Sequence, residues 1–74
     1  MLEAKLKENR RWILSCPGLR VNCRTKENAV RWGRLARQAG KDMTLTEEYD
    51  LFDRGTLIDH QEFDRTNLIK LSLS

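Results

Sequence analysis

The side chains that could perform chemistry are few, and their spacing matches no known catalytic pattern. His60 is the only histidine of the chain, and Cys16 and Cys23 are its only cysteines. A cysteine beside His60 would make an activated nucleophile, yet nothing in the sequence brings them together. His60 is instead flanked by polar residues that include Asp59 and Glu62, which is typical of a surface strand. No glycine-rich phosphate loop is present, so we expect neither an enzyme nor a cofactor.

The two cysteines are also poorly spaced for a metal. Six residues separate Cys16 from Cys23, whereas zinc sites use roughly two to four. A closed site would need His60 and a carboxylate as well. We therefore interpret both thiols as small apolar core side chains and expect no metal. Four carboxylates could in principle form catalytic pairs, but we interpret them as a solvent-exposed face: Glu47, Glu48, Asp50 and Asp53.

Residues 25–40 are predicted to form an amphipathic helix. Thr25 is a suitable N-cap, and Gly40 stands where a helix-ending glycine belongs. At 100° per residue, Trp32 and Leu35 fall on one apolar stripe with three alanines and an asparagine. We expect this stripe to pack on a sheet, with Trp32 in the core. The opposite arc is mostly cationic and is expected to face water.

The cationic arc is the candidate partner-binding surface, because arginine makes forked contacts with phosphates and carboxylates. Two arginines from the preceding hairpin are expected to extend it. An alternative stays open, in which Arg34, Arg37 and Lys41 only complement the helix dipole and pair with the acidic half of the chain. The predicted contact residues are Arg20, Arg24, Val30, Arg31, Arg34, Arg37 and Lys41.

A short stretch resembles a helix-turn-helix motif. Ala36, Gly40 and Met43 have the spacing found where the first helix of that motif meets its turn, and a capped segment follows at Thr44. The resemblance implies a winged-helix variant that reads DNA with residues 45–53. Such a helix would present four acidic residues to phosphates, whereas groove-reading helices present Arg, Lys, Asn or Gln.

Residues 11–24 are predicted to form a β-hairpin around Pro17-Gly18, a dipeptide that suits a type II turn. If Cys16 faces Leu19 across the turn, Cys23 faces Trp12, and the thiols lie too far apart to bond. For residues 1–10 the alternation of apolar and charged residues favours a strand, whereas the residue types favour a helix. We favour a short helix or a frayed start there.

The second half of the chain is less clearly patterned. Thr44 and Glu47 fit a capping box, and the following apolar spacing favours a short second helix over 45–53. A strand is the alternative, because Tyr49 and Leu51 alternate with acids. A C-terminal hairpin is predicted from 56–63 and 68–73, joined by turn-forming residues 64–67.

These elements predict one α+β domain spanning residues 1–74. A small antiparallel sheet, made of the N-terminal and C-terminal hairpins, packs against one amphipathic helix over 25–40, with the short helix over 45–53 beside it. Within a chain of 74 residues, such a core supplies only a few kcal/mol of net stability.

Charge is divided unevenly along the chain. Residues 1–41 hold eleven Lys and Arg against three Glu, whereas residues 42–74 hold three basic and eight acidic residues. No apolar run is long enough for a membrane span, and residues 1–11 lack the apolar core of a secretory signal. We therefore expect a cytoplasmic protein with reduced thiols that does not enter membranes.

The function expected from these features is binding rather than catalysis. We predict a small regulatory, adaptor or inhibitor-type protein that docks on another protein through the arginine-rich helix face or the acidic 47–64 region. The alternative is a nucleic-acid-binding module that uses the basic half. The sequence leaves the oligomeric state open.

Overall fold

The computed structural model describes residues 5–70 and shows a four-stranded antiparallel sheet with helices on one face. The strand order is β2-β1-β3-β4, so β2 and β4 are the edges. The predicted α+β class is confirmed. The elements are β1 (Leu6–Cys16), β2 (Leu19–Cys23), α1 (Lys26–Gln38), β3 (Thr44–Asp53), β4 (Thr56–Asp64) and α2 (Asn67–Lys70).

The first hairpin has the predicted register. Cys16 pairs with Leu19 and Trp12 pairs with Cys23. Gly18 has a φ of 84°, as the third position of a type II turn requires. Both thiols are free, because the register holds them at opposite ends of the β1–β2 ladder.

The strand β1 begins earlier than predicted. Residues 6–10 are not a helix but continue β1, which is 11 residues long. The reason is long-range pairing, because β1 lies against β3 from Leu6↔Asp53 to Ser15↔Thr44. A complete ladder outweighs the modest helix propensity of Leu, Glu and Lys. Residues 1–4 of the predicted start lie outside the described residues.

The predicted ends of α1 are confirmed. The Thr25 hydroxyl accepts a hydrogen bond from the backbone N–H of Asn28 at 3.1 Å. At the other end, Gly40 has a φ of 88°, and the Lys41 N–H donates to the Ala36 carbonyl at 2.9 Å. This is the Schellman arrangement that glycine favours.

The buried face of α1 differs from the prediction. Trp32 and Leu35, expected in the core, are 59% and 48% exposed, while Ala29 is fully buried. Gly33 is buried beside it. A Cβ at Gly33 would lie 2.7 Å from Cγ2 of Ile69. The helix is therefore rotated by about a quarter turn, which puts its smallest residues where the neighbours come closest.

Residues 45–53 form a strand and not a second helix. They belong to β3, which pairs with β1 on one side and β4 on the other. Arg54 and Gly55 have φ values of 54° and 84°, as in the type I′ turns that close two-residue hairpins. The second hairpin is thus β3–β4 rather than 56–73, and residues 67–70 are helical. Residues 71–73 of the predicted last strand lie outside the described residues.

The core lies between the helices and one half of the sheet. Its buried members are Trp12, Leu14, Ala29, Met43, Leu45 and Ile69. The other half of the sheet is a different environment, because residues 6–10 of β1 and all of β4 are exposed. The helices therefore cover the sheet only at the end near Leu14 and Leu45.

Candidate protein-binding site

An apolar groove runs between α1 and the edge strand β2. It encloses about 400 Å³. Leu14, Ala36 and Met43 contribute its deeper part, and the polar rim includes Arg24 and Lys41. We call this feature the α1–β2 groove. The remaining lining residues are Leu19, Val21, Asn22, Cys23, Asn28 and Trp32.

Large apolar side chains are exposed in the groove, and no element within residues 5–70 covers them. Trp32 is 59% exposed, Leu19 47% and Val21 39%. Trp32 reaches the groove because of the rotation of α1. Leu19 and Val21 reach it because their side chains point to the helix side of β2, which is the edge strand of the sheet. Contiguous apolar surface with a polar rim marks sites of interaction on monomeric proteins.

The predicted cationic surface is divided among several places. Arg31 is exposed on the outer side of α1, and Arg24 and Lys41 lie at the α1–β2 groove. Arg20, in contrast, belongs to the sheet face opposite α1, where it contacts Glu48 at 3.3 Å. Arg20 is therefore separated from the basic residues of the helix, whereas Arg24 lies at the same groove as Lys41.

The other predicted contact residues have intramolecular partners. Val30 is half-buried and packs against the core. Arg34 Nε donates to the Leu68 carbonyl at 3.2 Å, which ties α1 to α2. Arg37 pairs with Asp42 at 2.6 Å. The Arg37–Asp42 pair agrees with the alternative in which this arginine pairs with the acidic half of the chain, whereas the contacts of Val30 and Arg34 were not indicated by the sequence pattern.

The sheet face opposite α1 carries a network of charged side chains. The Arg11 guanidinium donates to Glu48 at 2.9 Å and to Asp50 at 2.8 Å. Glu48 and Asp50 are only 8% and 6% exposed. His60 bridges Asp50 and Glu62, with Nε2 lying 2.9 Å from the Glu62 carboxylate. Much of the charge asymmetry of the sequence is thus neutralised inside the fold.

The two carboxylates raise the pKa of His60 from 6.5 to about 8, with the hydrogen bond to Glu62 as the largest cause and that to Asp50 next. A raised pKa means that the folded state binds the proton more tightly. The stabilisation is complete below pH 6.5 and is lost as the pH rises through about 8.

We therefore expect the urea concentration at the denaturation midpoint to decrease as the pH is raised from about 6 to about 9. In a His60→Gln variant this part of the decrease should be absent. Urea denaturation across the pH range measures both curves. Equal pH dependence in the two proteins would contradict the assignment of this titration to His60.

The structure does not bring the candidate nucleophiles together. His60 and the two cysteines lie on opposite faces of the sheet, as the strand register requires. Burial raises the pKa of the Cys23 thiol, which disfavours the reactive thiolate. Within residues 5–70, no three His, Cys, Asp or Glu side chains have the geometry to hold a metal ion.

The resemblance to a helix-turn-helix motif ends at the turn. The segment that would be the recognition helix is strand β3, and two of its acids are bound to Arg11. In the described part of the chain, no helix is long and apolar enough to cross a membrane.

The described residues define a ββαββα domain of the α+β class with an open apolar groove beside one sheet edge. No family model matches the chain, and no curated protein or solved structure matches it.

Proposed function

We propose that this chain is a non-enzymatic adaptor or regulatory protein that binds another protein through the α1–β2 groove. The supporting observation is the exposure of Trp32, Leu19 and Val21 in one place. Tryptophan is among the residues that dominate binding energy when a partner covers them. Burial of this tryptophan would remove a large apolar area from water.

The charges around the groove favour an acidic partner. Arg24 and Lys41 line it, and neither has a side-chain ion pair among the described contacts. Cations at the rim accelerate association with a negatively charged surface and disfavour basic partners. The acidic 47–64 region is a weaker candidate, because Glu47, Glu48 and Asp50 are already buried and paired. The free thiols support the cytoplasm as the proposed compartment.

The test compares capture by three forms of the immobilised protein. A partner of the groove should be retained by the wild type and by Leu57→Ser, but lost with Trp32→Ser. Leu57 is the matched control because it is 51% exposed on β4, outside the groove. Quantitative mass spectrometry of the retained proteins measures the ratios. If every retained protein binds Trp32→Ser as well as the wild type, the groove is not the binding site.

Nucleic acid is the competing ligand, and the exposed Arg31 together with Arg24 and Lys41 supports it. Titration of labelled DNA and RNA at low and high salt distinguishes the two functions. Our proposal predicts no tight binding at low salt. Binding that weakens steeply with salt and is lost in Arg24→Glu/Arg31→Glu would instead establish a nucleic-acid-binding module.

A further inference from the structure

We propose that the α1–β2 groove receives an extended segment of the partner protein, added to the outer edge of β2 as a fifth strand. The segment alternates apolar and acidic residues. This inference rests on the proposed function and specifies the form of the partner. Three features of the groove carry it: the free edge of β2, the direction of its side chains and the charge of its rim.

The outer edge of β2 offers backbone groups for a new strand. In the described sheet β2 pairs only with β1. Cys16 and Leu19 close a two-residue turn, so they form a hydrogen-bonded pair, and such pairs alternate along an antiparallel ladder. The N–H and C=O groups of Arg20 and Asn22 therefore point away from β1. An exposed strand edge of this kind is a template for β-strand addition.

Side-chain alternation explains why the segment should be apolar at every second residue. Leu19, Val21 and Cys23 point to the helix side of β2, where they and Trp32 line the groove. Neighbouring strands lie about 4.8 Å apart, so an added strand would pack alternate side chains against Leu19 and Val21. Those side chains would approach Trp32 and cover its exposed ring. Small or branched apolar residues fit this position.

The remaining residues of the segment face cations. Arg20 lies on the opposite sheet face and is 64% exposed in its side chain despite the contact with Glu48. Arg24 follows the end of β2, and Lys41 lies across the groove. Glu or Asp between the apolar residues would point to the sheet face of Arg20 and pair with it, whereas Lys41, on the groove side, would disfavour a basic residue among the groove-facing positions.

A second copy of the chain fits the groove less well, although its edge strand β4 is acidic. The β4 residues with the required direction include Asp59, Gln61 and Phe63, of which only Phe63 is apolar. Arg65 already lies over the Phe63 ring, 5.1 Å from its centre. Strand β4 therefore lacks the regular apolar alternation that the groove demands.

The test begins with a library of random displayed peptides, selected on the wild type and depleted on Trp32→Ser. The enriched peptides are then labelled and titrated by fluorescence anisotropy against Asn22→Pro and its control Asn22→Ala. Proline removes the outward N–H and is tolerated at a sheet edge, while alanine keeps the N–H. We expect alternating acidic and apolar peptides that bind Asn22→Pro about tenfold more weakly than Asn22→Ala; both variants lack the Asn22 side chain, which lines the groove, so the difference reports the loss of the N–H.

Hydrogen exchange supplies a second measurement that does not depend on a variant. Bound peptide should slow exchange of the Arg20 and Asn22 amides, while the inward Val21 amide changes less. Circular dichroism of Asn22→Pro verifies that the fold is retained; if the fold is lost, the exchange data decide.

Several outcomes would overturn the inference. Selected peptides whose apolar residues recur at helical spacing would show that the groove binds something other than a strand. Unchanged amide hydrogen exchange at Arg20 and Asn22 would show the same. Equal affinity of Asn22→Pro and Asn22→Ala would do the same, and the proposed function would survive in these cases. Self-association lost in Trp32→Ser, seen by light scattering, would identify a second copy as the occupant. If no peptide distinguishes the wild type from Trp32→Ser, the strand inference fails, while the capture experiment still decides the proposed function.

Discussion

Replacement of Gly33 by valine is expected to destabilise the protein by about 2 kcal/mol. Gly33 lies inside α1 at the closest approach of the helix to its neighbours. A Cβ there would meet Ile69 Cγ2 at 2.7 Å and Leu14 Cδ2 at 3.0 Å. The larger side chain must push α1 away from α2 and from β1. Urea denaturation followed by circular dichroism measures the free energy of unfolding.

A coupled pair of variants isolates the steric cause. Alanine favours a helix over glycine by about 1 kcal/mol, so Gly33→Ala would stabilise the protein if space were available. We expect it to destabilise the wild type but to stabilise an Ile69→Ala background, where the closest atom is removed. If Gly33→Ala stabilises both proteins equally, the close packing of α1 on α2 is not what selects glycine.

Replacement of Arg11 by methionine is expected to cost about 2 kcal/mol of stability at neutral pH. The change leaves Glu48 without its closest cation and Asp50 with only His60, although their side chains are just 11% and 8% exposed. Loss of one partner from a fully buried ion pair costs about 3 to 5 kcal/mol. The expected value is lower because the Arg11 side chain is 39% exposed, so water reaches the network.

The neighbouring arginine provides the control. Arg10→Met removes a 3.1 Å contact with Glu47, but Glu47 keeps its contact with Arg65 at 3.0 Å. Arg10→Met should therefore destabilise less than Arg11→Met. Combining Arg11→Met with Glu48→Gln should recover part of the loss, because one buried charge is removed. Equal losses for the two arginines, with no recovery, would show that the network does not contribute to folding.

The features that were predicted correctly from sequence depend on local chemistry. Thr25 and Gly40 determine the ends of α1 through hydrogen bonds to residues a few positions away. The register of the first hairpin follows from the Pro17-Gly18 turn between two strands that are adjacent in sequence. Signals of this kind involve only residues that lie close together in the sequence.

The errors arise where distant residues decide the structure. Thr44 and Glu47 fit a helix start, but β3 is paired on both sides, so its backbone groups are satisfied as a strand. Gly55 between two alternating runs was the local signal for that hairpin, but Arg54, which is also left-handed, is not a residue type that marks such a turn. The rotation of α1 had no such signal, because it depends on how closely Ile69 approaches Gly33.

The same rotation explains why the groove was only partly foreseen. Arg24 and Lys41 were predicted as contact residues from their charge, and both line it. Trp32 was assigned to the core because large apolar residues on a helical stripe are normally buried. Close contact between α1 and the sheet instead required alanine and glycine at the interface, which left the tryptophan outside.

The uneven coverage of the sheet has a consequence for how the molecule opens. Near Leu14 and Leu45 the strands are held by the helices, whereas residues 6–10 and the whole of β4 have solvent-exposed side chains. Backbone pairing alone gives little resistance to fraying. We therefore expect thermal opening to begin at the Arg54-Gly55 tip and to reach last the parts of β1 and β3 near Leu14 and Leu45 that the helices cover.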